Sequence, residues 1–351
     1  MTTAPHLILI VGSQRSGTTL VNRLLNAHPQ ISIVYQQTDY LRDNLPMDVV
    51  VSREEATRAI GKVRERVLRH DPAFTDAVAS AIEAALPDRI SYGGLYRLLL
   101  AQLASPGAQV THAGEKYAGR CLESFGFLDA FPDGRLIHIV RDPRDVLASE
   151  KARLAHLAGT EREYNHLLTL FDWKVGATAV ELAKKEHDPQ RVMTVRFEDL
   201  VQDPNAASAV LCDFLGVGFD ASMTEADRLV DDAGKPWLAN TSFGPGWRGI
   251  RRPDLAAWTS RLSPTEIAYA EAFCNARLRK YGYAPPSPMK LASAKVTHRK
   301  AFRLMSDRLD EALAVNATRP NATVEIPPRH RSALSEERIL GRRRARVDLS
   351  G

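Results

Sequence analysis

Leu7-Ile8-Leu9-Ile10-Val11 is an unbroken apolar, β-branched-rich run that stops at Gly12. Such a run predicts a strand buried on both faces of a parallel sheet. The segment Gly12 to Thr19 then forms a loop, and Leu20, Val21, Leu24 and Leu25 recur at helical spacing. Asn26-Ala27-His28-Pro29 ends that helix, because the residue before a proline avoids helical geometry. Ile31 to Tyr35 reads as a second strand. Residues 48 to 105 change character: charged and alanine-rich helical patterns dominate, such as Glu54 to Arg69 and Asp76 to Leu86, and no strong strand stands out. The turn Phe131-Pro132-Asp133-Gly134 introduces the next strand, Arg135 to Val140. One long helical stretch is expected from about Val146 to Lys185, followed by a strand at Val192 to Arg196 and a helix from Asn205 to Leu215 closed by Gly216. Ser263-Pro264-Thr265-Glu266 carries an N-cap serine, proline at the first position and a capping-box glutamate, and so opens a last helix to about Tyr281. Buried strands alternating with helices predict an α/β fold with a central, mainly parallel sheet.

Composition narrows the function classes. The 351 residues are 44% hydrophobic and 25% charged, with a formal net charge of +5. So slight a positive excess suits a phosphate-bearing ligand and gives no case for a nucleic-acid partner. Cys121, Cys212 and Cys274 are widely spaced and odd in number, which argues against a disulfide framework or a zinc site and for a reducing compartment. No stretch approaches the ~20 apolar residues of a membrane span. The apolar run at Leu7 to Val11 is too short for a signal-peptide core and no basic residue precedes it, so a bacterial cytoplasmic location is expected. The sequons at Asn240, Asn316 and Asn321 then read as chance matches.

The loop Gly12-Ser13-Gln14-Arg15-Ser16-Gly17-Thr18-Thr19 stands between a buried strand and a helix. That context suits phosphate: glycines allow a tight turn, amides point inward, and the helix N-terminus adds partial positive charge. The spacing fits G-x-x-x-x-G, but Thr18 stands where a nucleotide triphosphatase carries lysine, and Arg15 supplies the positive charge instead. Metal-assisted ATP hydrolysis is therefore disfavoured.

The run Arg15-Ser16-Gly17-Thr18-Thr19, the following helix and His28-Pro29-Gln30-Ile31 resemble the sulfotransferase superfamily that uses 3′-phosphoadenosine 5′-phosphosulfate (PAPS), in its bacterial and tyrosylprotein-sulfotransferase-like branch. Two further stretches resemble the same family in the same order: Ile139 to Arg153 and Arg196 to Pro204. The resemblance implies a P-loop-type three-layer α/β fold over residues 5 to 285, with a helical insertion at 48–110 that caps the acceptor. It also implies transfer of a sulfuryl group from PAPS, as co-substrate and without a metal, to a hydroxyl or amine on an acceptor such as a carbohydrate, lipid or small metabolite.

By that resemblance Arg15, Ser16, Gly17, Thr18 and Thr19 hold the 5′-phosphosulfate. Arg141, with Ser149 eight positions on, matches the 3′-phosphate motif, and Arg153 stands where the tyrosylprotein branch has a further arginine. Read on its own, this stretch is equally a helix N-terminus whose Asp142 and Asp145 are solvated charges on the dipole. Glu198 and Asp199 are expected to be structural. Lys116, in Gly114-Glu115-Lys116, stands where the family carries a catalytic lysine ahead of the third strand. Trp237, Phe243, Trp247, Arg248, Arg251 and Arg252 crowd a late Gly/Pro-rich loop. There the arginines would reach the 3′-phosphate and the tryptophans would stack on a ring.

The chain departs from the pattern at the base. Gln36 occupies the place of the branch's glutamate and cannot accept a proton. Asp39 is the nearest carboxylate and the first choice; Glu115 and His112 precede Lys116 and remain alternatives. Two other readings stay open: a P-loop kinase of a small metabolite, and a non-catalytic nucleotide-binding scaffold on the same fold. Residues 286–351 form a Pro/Arg-rich extension, expected to be partly disordered. Its arginines, Arg342, Arg343, Arg344 and Arg346 among them, are a solvated end or a contact for acidic partners and lipid headgroups.

Overall fold

The computed structural model describes residues 4–35, 41, 47–67, 76–103, 110–156, 164–231, 234–239, 246–250 and 255–283. In chain order the elements are β1 (His6–Gly12), α1 (Thr18–Asn26), β2 (Ile31–Tyr35), β3 (Val50–Ser52), α2 (Arg53–Val67), α3 (Asp76–Ala85), β4 (Arg89–Ser91), α4 (Tyr92–Leu103) and β5 (His112–Ala118). Then come α5 (Glu123–Ala130), β6 (Arg135–Val140), α6 (Pro143–His156), α7 (His166–Glu186), β7 (Val192–Arg196), α8 (Phe197–Gln202) and α9 (Pro204–Leu215). The last are β8 (Leu238–Ala239), β9 (Trp247–Arg248), α10 (Trp258–Arg261) and α11 (Pro264–Lys280).

A five-stranded sheet, in the order β2-β5-β1-β6-β7, forms the centre, and all four of its strand pairings are parallel. The β1 run is apolar throughout because both its faces are covered. Leu7, Leu9 and Val11 pack in a core with α2 to α5 and α7, while Ile8 and Ile10 pack in one with α1, α8 and α9. Both sets are completely buried, and each such side chain contributes about 1.5–3 kcal/mol. A third core joins α6, α7 and α11. This is the α/β, mainly parallel architecture expected from the alternation of strands and helices. Among the described residues, no helix is long and apolar enough to cross a membrane.

Three elements differ from the sequence expectation. β5 is a central strand, not a segment ahead of one, so Lys116 lies within the sheet between β1 and β2. The insertion holds α2, α3 and α4, as expected, but also an antiparallel ribbon of β3 and β4. The expected single helix from Val146 to Lys185 is two helices, since Asn165 starts α7 afresh by accepting from the Leu167 and Leu168 amides. The capping box at Ser263 and Glu266 forms as expected.

Candidate functional site

Parallel strands deliver their carboxyl ends to one edge of the sheet. Strand order reverses around β1, the place where open α/β sheets bind ligands. The loop after β1 is tied to β5 by the Gly119 amide, which donates to the Gly12 carbonyl at 2.7 Å. Inside it the Ser13 and Ser16 hydroxyls lie 2.5 Å apart, and the Ser16 amide donates to the Ser13 carbonyl at 3.2 Å. Arg15 is held at φ 67°, and Gly17 at φ 98° is the N-cap of α1. A left-handed arginine costs about 1 kcal/mol and persists only where the surroundings impose it. No side chain caps α1 and its first turn carries no acid, so its leading amides face the loop as an anion cradle.

The second half of the site comes from the β6–α6 junction. Val140 ends the strand and Arg141 follows it, with its guanidinium over the Phe197 ring at 4.4 Å to the centroid. It donates to the Arg15 carbonyl at 3.2 Å, and its own carbonyl accepts from the Trp173 indole at 2.9 Å. Eight positions further along, on α6, Ser149 accepts a 3.1 Å bond from Arg15 Nε. The two halves, 134 residues apart in sequence, therefore meet directly. Burial lowers the pKa of both arginines; Arg153 and Arg141 lower that of Arg15 further, while Glu150 opposes. Asp145, Glu198 and Asp142 oppose the shift at Arg141. Clustered cations of this kind leave a net positive pull for an anion.

Around these groups opens a cleft of about 950 Å³, whose lining includes Arg15, Gly17, Thr18, Thr19, Arg141 and Ser149. Trp237 and Trp247 also line it. The structure thus brings Arg15, Gly17, Thr18, Thr19, Arg141 and Ser149 into one cleft with the two tryptophans, and leaves the other candidate site residues outside its lining or outside the described residues. Ser16 is wholly buried inside the loop rather than on the cleft wall. Arg153 turns to Glu150, with bonds of 2.9 and 2.6 Å, and Arg248 is exposed beside Asp227 at 3.7 Å. Neither belongs to the cleft lining, although Trp247, Gly249 and Ile250 next to Arg248 do. Lys116 is 1% exposed with its ammonium 3.5 Å from the centroid of the Tyr35 ring; it is a buried lysine at the level of Ile10, outside the cleft lining. Glu115 is buried and accepts from the Tyr96 hydroxyl at 3.0 Å. Burial, with His6 second, pushes His112 down to about 4. Asp39, Gln36, Phe243, Arg251, Arg252 and the extension 286–351 lie outside the described residues.

Asp142 and Asp145 are not solvated dipole partners: both are buried. Asp142 holds Arg144 at 2.6 Å, and Arg144 also reaches Glu271 at 3.2 Å and lies over the Trp258 ring. Glu198 accepts from the Asp142 amide at 2.9 Å and the Tyr283 hydroxyl at 3.0 Å. This polar scaffold fixes the strand end that carries Arg141. Sequence reasoning missed Phe197, Asp145, His156 and Arg261 as cleft residues. Phe197 opens the Arg196–Pro204 stretch already singled out; no local signal marked the others.

A family model described as "Sulfotransferase family" matches residues 5–221. Protein-tyrosine sulfotransferase 2 of Gallus gallus is 22% identical over 282 residues, covering 80% of this chain and 70% of its own. Carbohydrate sulfotransferase 1 of Homo sapiens is 24% identical over 358 residues, with 85% of each chain covered. Among solved structures, the sulfotransferase domain of the Synechococcus PCC 7002 olefin synthase superposes with a TM-score of 0.52 at 22% identity, covering 80% of this chain and 96% of that domain. The sulfotransferase domain of the curacin biosynthetic pathway superposes at 0.51 and 19% identity, covering 80% and 99%.

Proposed function

The chain belongs to the sulfotransferase family, and from that premise we propose that the cleft is its donor site. PAPS would lie with its 5′-phosphosulfate in the Arg15–Thr19 loop at the α1 N-terminus and its 3′-phosphate on Arg141 and Ser149. Trp237 and Trp247 offer faces on which a purine stacks. The observation that supports this reading is the 3.1 Å bond from Arg15 to Ser149, which joins the two segments here assigned to the phosphates.

The acceptor is a hydroxyl or amine. Relatives named for tyrosine and for carbohydrates both point to hydroxyl acceptors. Attack by the acceptor oxygen forms a new S–O bond and breaks the S–O bond to the 5′-phosphate. The spent nucleotide, 3′-phosphoadenosine 5′-phosphate (PAP), leaves with that electron pair. Arg15 and the loop amides offset the charge gathering on the leaving phosphate; Lys116, although buried outside the cleft lining, keeps by resemblance its assignment to the transferring group. Asp39 is assigned as the base that receives the acceptor proton. The insertion around α2 to α4 shapes the acceptor side, and the basic extension is a candidate for peripheral contact with acidic partners.

Calorimetric titration with PAP, AMP and ATP, with and without magnesium, tests the donor assignment. The expected outcome is metal-independent preference for PAP, with the PAP-over-AMP ratio collapsing in Arg141→Ala. Magnesium-dependent ATP binding that ignores the 3′-phosphate would overturn it in favour of a kinase.

A further inference from the structure

Three carboxylates surround the Arg141 guanidinium: Asp142 beside it, Asp145 on the first turn of α6, and Glu198 on α8. Two are engaged. Asp142 accepts from Arg144 through both oxygens, at 2.6 to 3.2 Å, and Glu198 accepts from the Asp142 amide and the Tyr283 hydroxyl. Asp145 differs. It is 1% exposed and lines the cleft. Among the described residues neither of its carboxylate oxygens accepts a hydrogen bond of good geometry. The Trp258 backbone amide, from α10, favours the ionised form but falls short of full hydrogen-bond geometry. Arg141 Nε, beside it, also lacks a partner.

A buried polar group without a partner is costly and uncommon, and one on the wall of a ligand cleft calls for a ligand. A phosphate on Arg141 would satisfy the idle Nε. It would not satisfy an ionised Asp145, because a phosphate dianion has no proton to donate and the two anions would repel. The conflict disappears if the carboxyl is protonated, since its O–H then donates to a phosphate oxygen. Burial already favours the neutral form. It pushes Asp145 up to about 7, with Asp142 and Glu198 adding to the rise and Arg141 and the Trp258 amide opposing it.

We infer that Asp145 is a further binding residue of the donor cleft: it takes up one proton from solvent as the nucleotide arrives and, as a carboxylic acid, donates a hydrogen bond to the phosphate held on Arg141. The inference rests on the donor-cleft reading above. Its sign follows from linkage: the neutral form binds, so affinity falls as pH rises through the free-state value. From pH 7.0 to 8.5 the ceiling is about fifteenfold. The ligand's own phosphates finish ionising near pH 6 and would act in the reverse direction. His156 and Arg261 line the same cleft; Arg261 stays charged, while a histidine gaining a proton would mimic the sign.

The test is calorimetry with PAP between pH 7.0 and 8.5, in two buffers of different ionisation heat, on wild type, Asp145→Asn and His156→Gln. Wild type is expected to lose affinity by roughly five- to fifteenfold and to take up close to one proton at pH 8. Asp145→Asn, which can donate but not titrate, is expected to bind with no pH dependence and no uptake. His156→Gln should keep the pH dependence and the proton uptake of wild type, whatever its absolute affinity. Tight, pH-independent PAP binding by wild type, or uptake that survives in Asp145→Asn, would overturn the inference and leave the donor site standing. If Asp145→Asn fails to fold, the wild-type proton count and the His156→Gln comparison decide it. No PAP binding at any pH would remove the donor site and this inference with it.

Discussion

Gly17→Ala puts one methyl group into the hinge of the phosphate loop. The backbone there sits at φ 98°, a left-handed geometry that costs an alanine about 1–2 kcal/mol. The new Cβ would also collide with the edge of the Phe197 ring. Phe197 cannot swing away freely, because the Arg141 guanidinium lies over its ring at 4.4 Å. Overpacking of this kind costs about 1–3 kcal/mol, so the total is about 2–5 kcal/mol. In a domain of this size each kcal/mol lowers Tm by about 2–4 °C, and a fall of roughly 4–20 °C is expected by scanning calorimetry. PAP affinity should drop at least tenfold, because the relief movement displaces Arg141. Combining Gly17→Ala with Phe197→Leu should return part of the loss, leaving the backbone cost of about 1–2 kcal/mol. A single variant that melts within 1 °C of wild type and binds PAP normally would refute the claim that loop geometry and Arg141 are mechanically coupled through Phe197.

Arg15→Ala removes the charge at the centre of the loop and its bond to Ser149, and should weaken PAP binding by roughly ten- to a hundredfold at about 1.5–3 kcal/mol per charge-assisted bond, read by calorimetry. Lys116→Met, which keeps the buried stem, should lower kcat far more than it raises KM for PAPS in a radiolabelled sulfuryl-transfer assay; equal kcat would remove Lys116 from the chemistry. Arg144→Met breaks a buried pair network and leaves Asp142 and Glu271 uncompensated, so the denaturant midpoint should fall by an amount equivalent to about 3–5 kcal/mol. Burial pushes the Cys121 and Cys274 thiols up to about 12 and Cys212 up to about 11. An aromatic disulfide reagent at pH 8 should therefore label none of the three until the protein is unfolded.

The elements with a local cause were legible in the chain. β1, β2, β6 and β7 are apolar runs between turn residues, and the capping box at Ser263 marks α11 unaided. β5 was hidden because its sequence, His112-Ala113-Gly114-Glu115-Lys116-Tyr117-Ala118, alternates neither apolar with polar nor runs apolar. Its two charged residues sit at 0% and 1% exposure, where Tyr96 reaches Glu115 and Tyr35 lies against Lys116. Those partners come from distant segments, so no local pattern reports them. The site divides the same way. Arg15, Arg141 and Ser149 stand in motifs, and the structure brings them to one cleft. For Asp145 the sequence left a solvated charge open as one reading, because the Trp258 amide that approaches it comes from more than a hundred residues away.

The strand order also sets a timetable for synthesis. β1 and β2 are never neighbours: β5, ending at Ala118, occupies the slot between them. A ribosome adding about 5–20 residues per second leaves that slot open for roughly 5–15 s after β2 has emerged. During that interval both strands present unpaired backbone edges and uncovered apolar faces. The nascent chain is therefore most exposed to misassociation early, before the central strand arrives, and a chaperone that shields its first hundred residues would improve yield more than one acting on the finished chain.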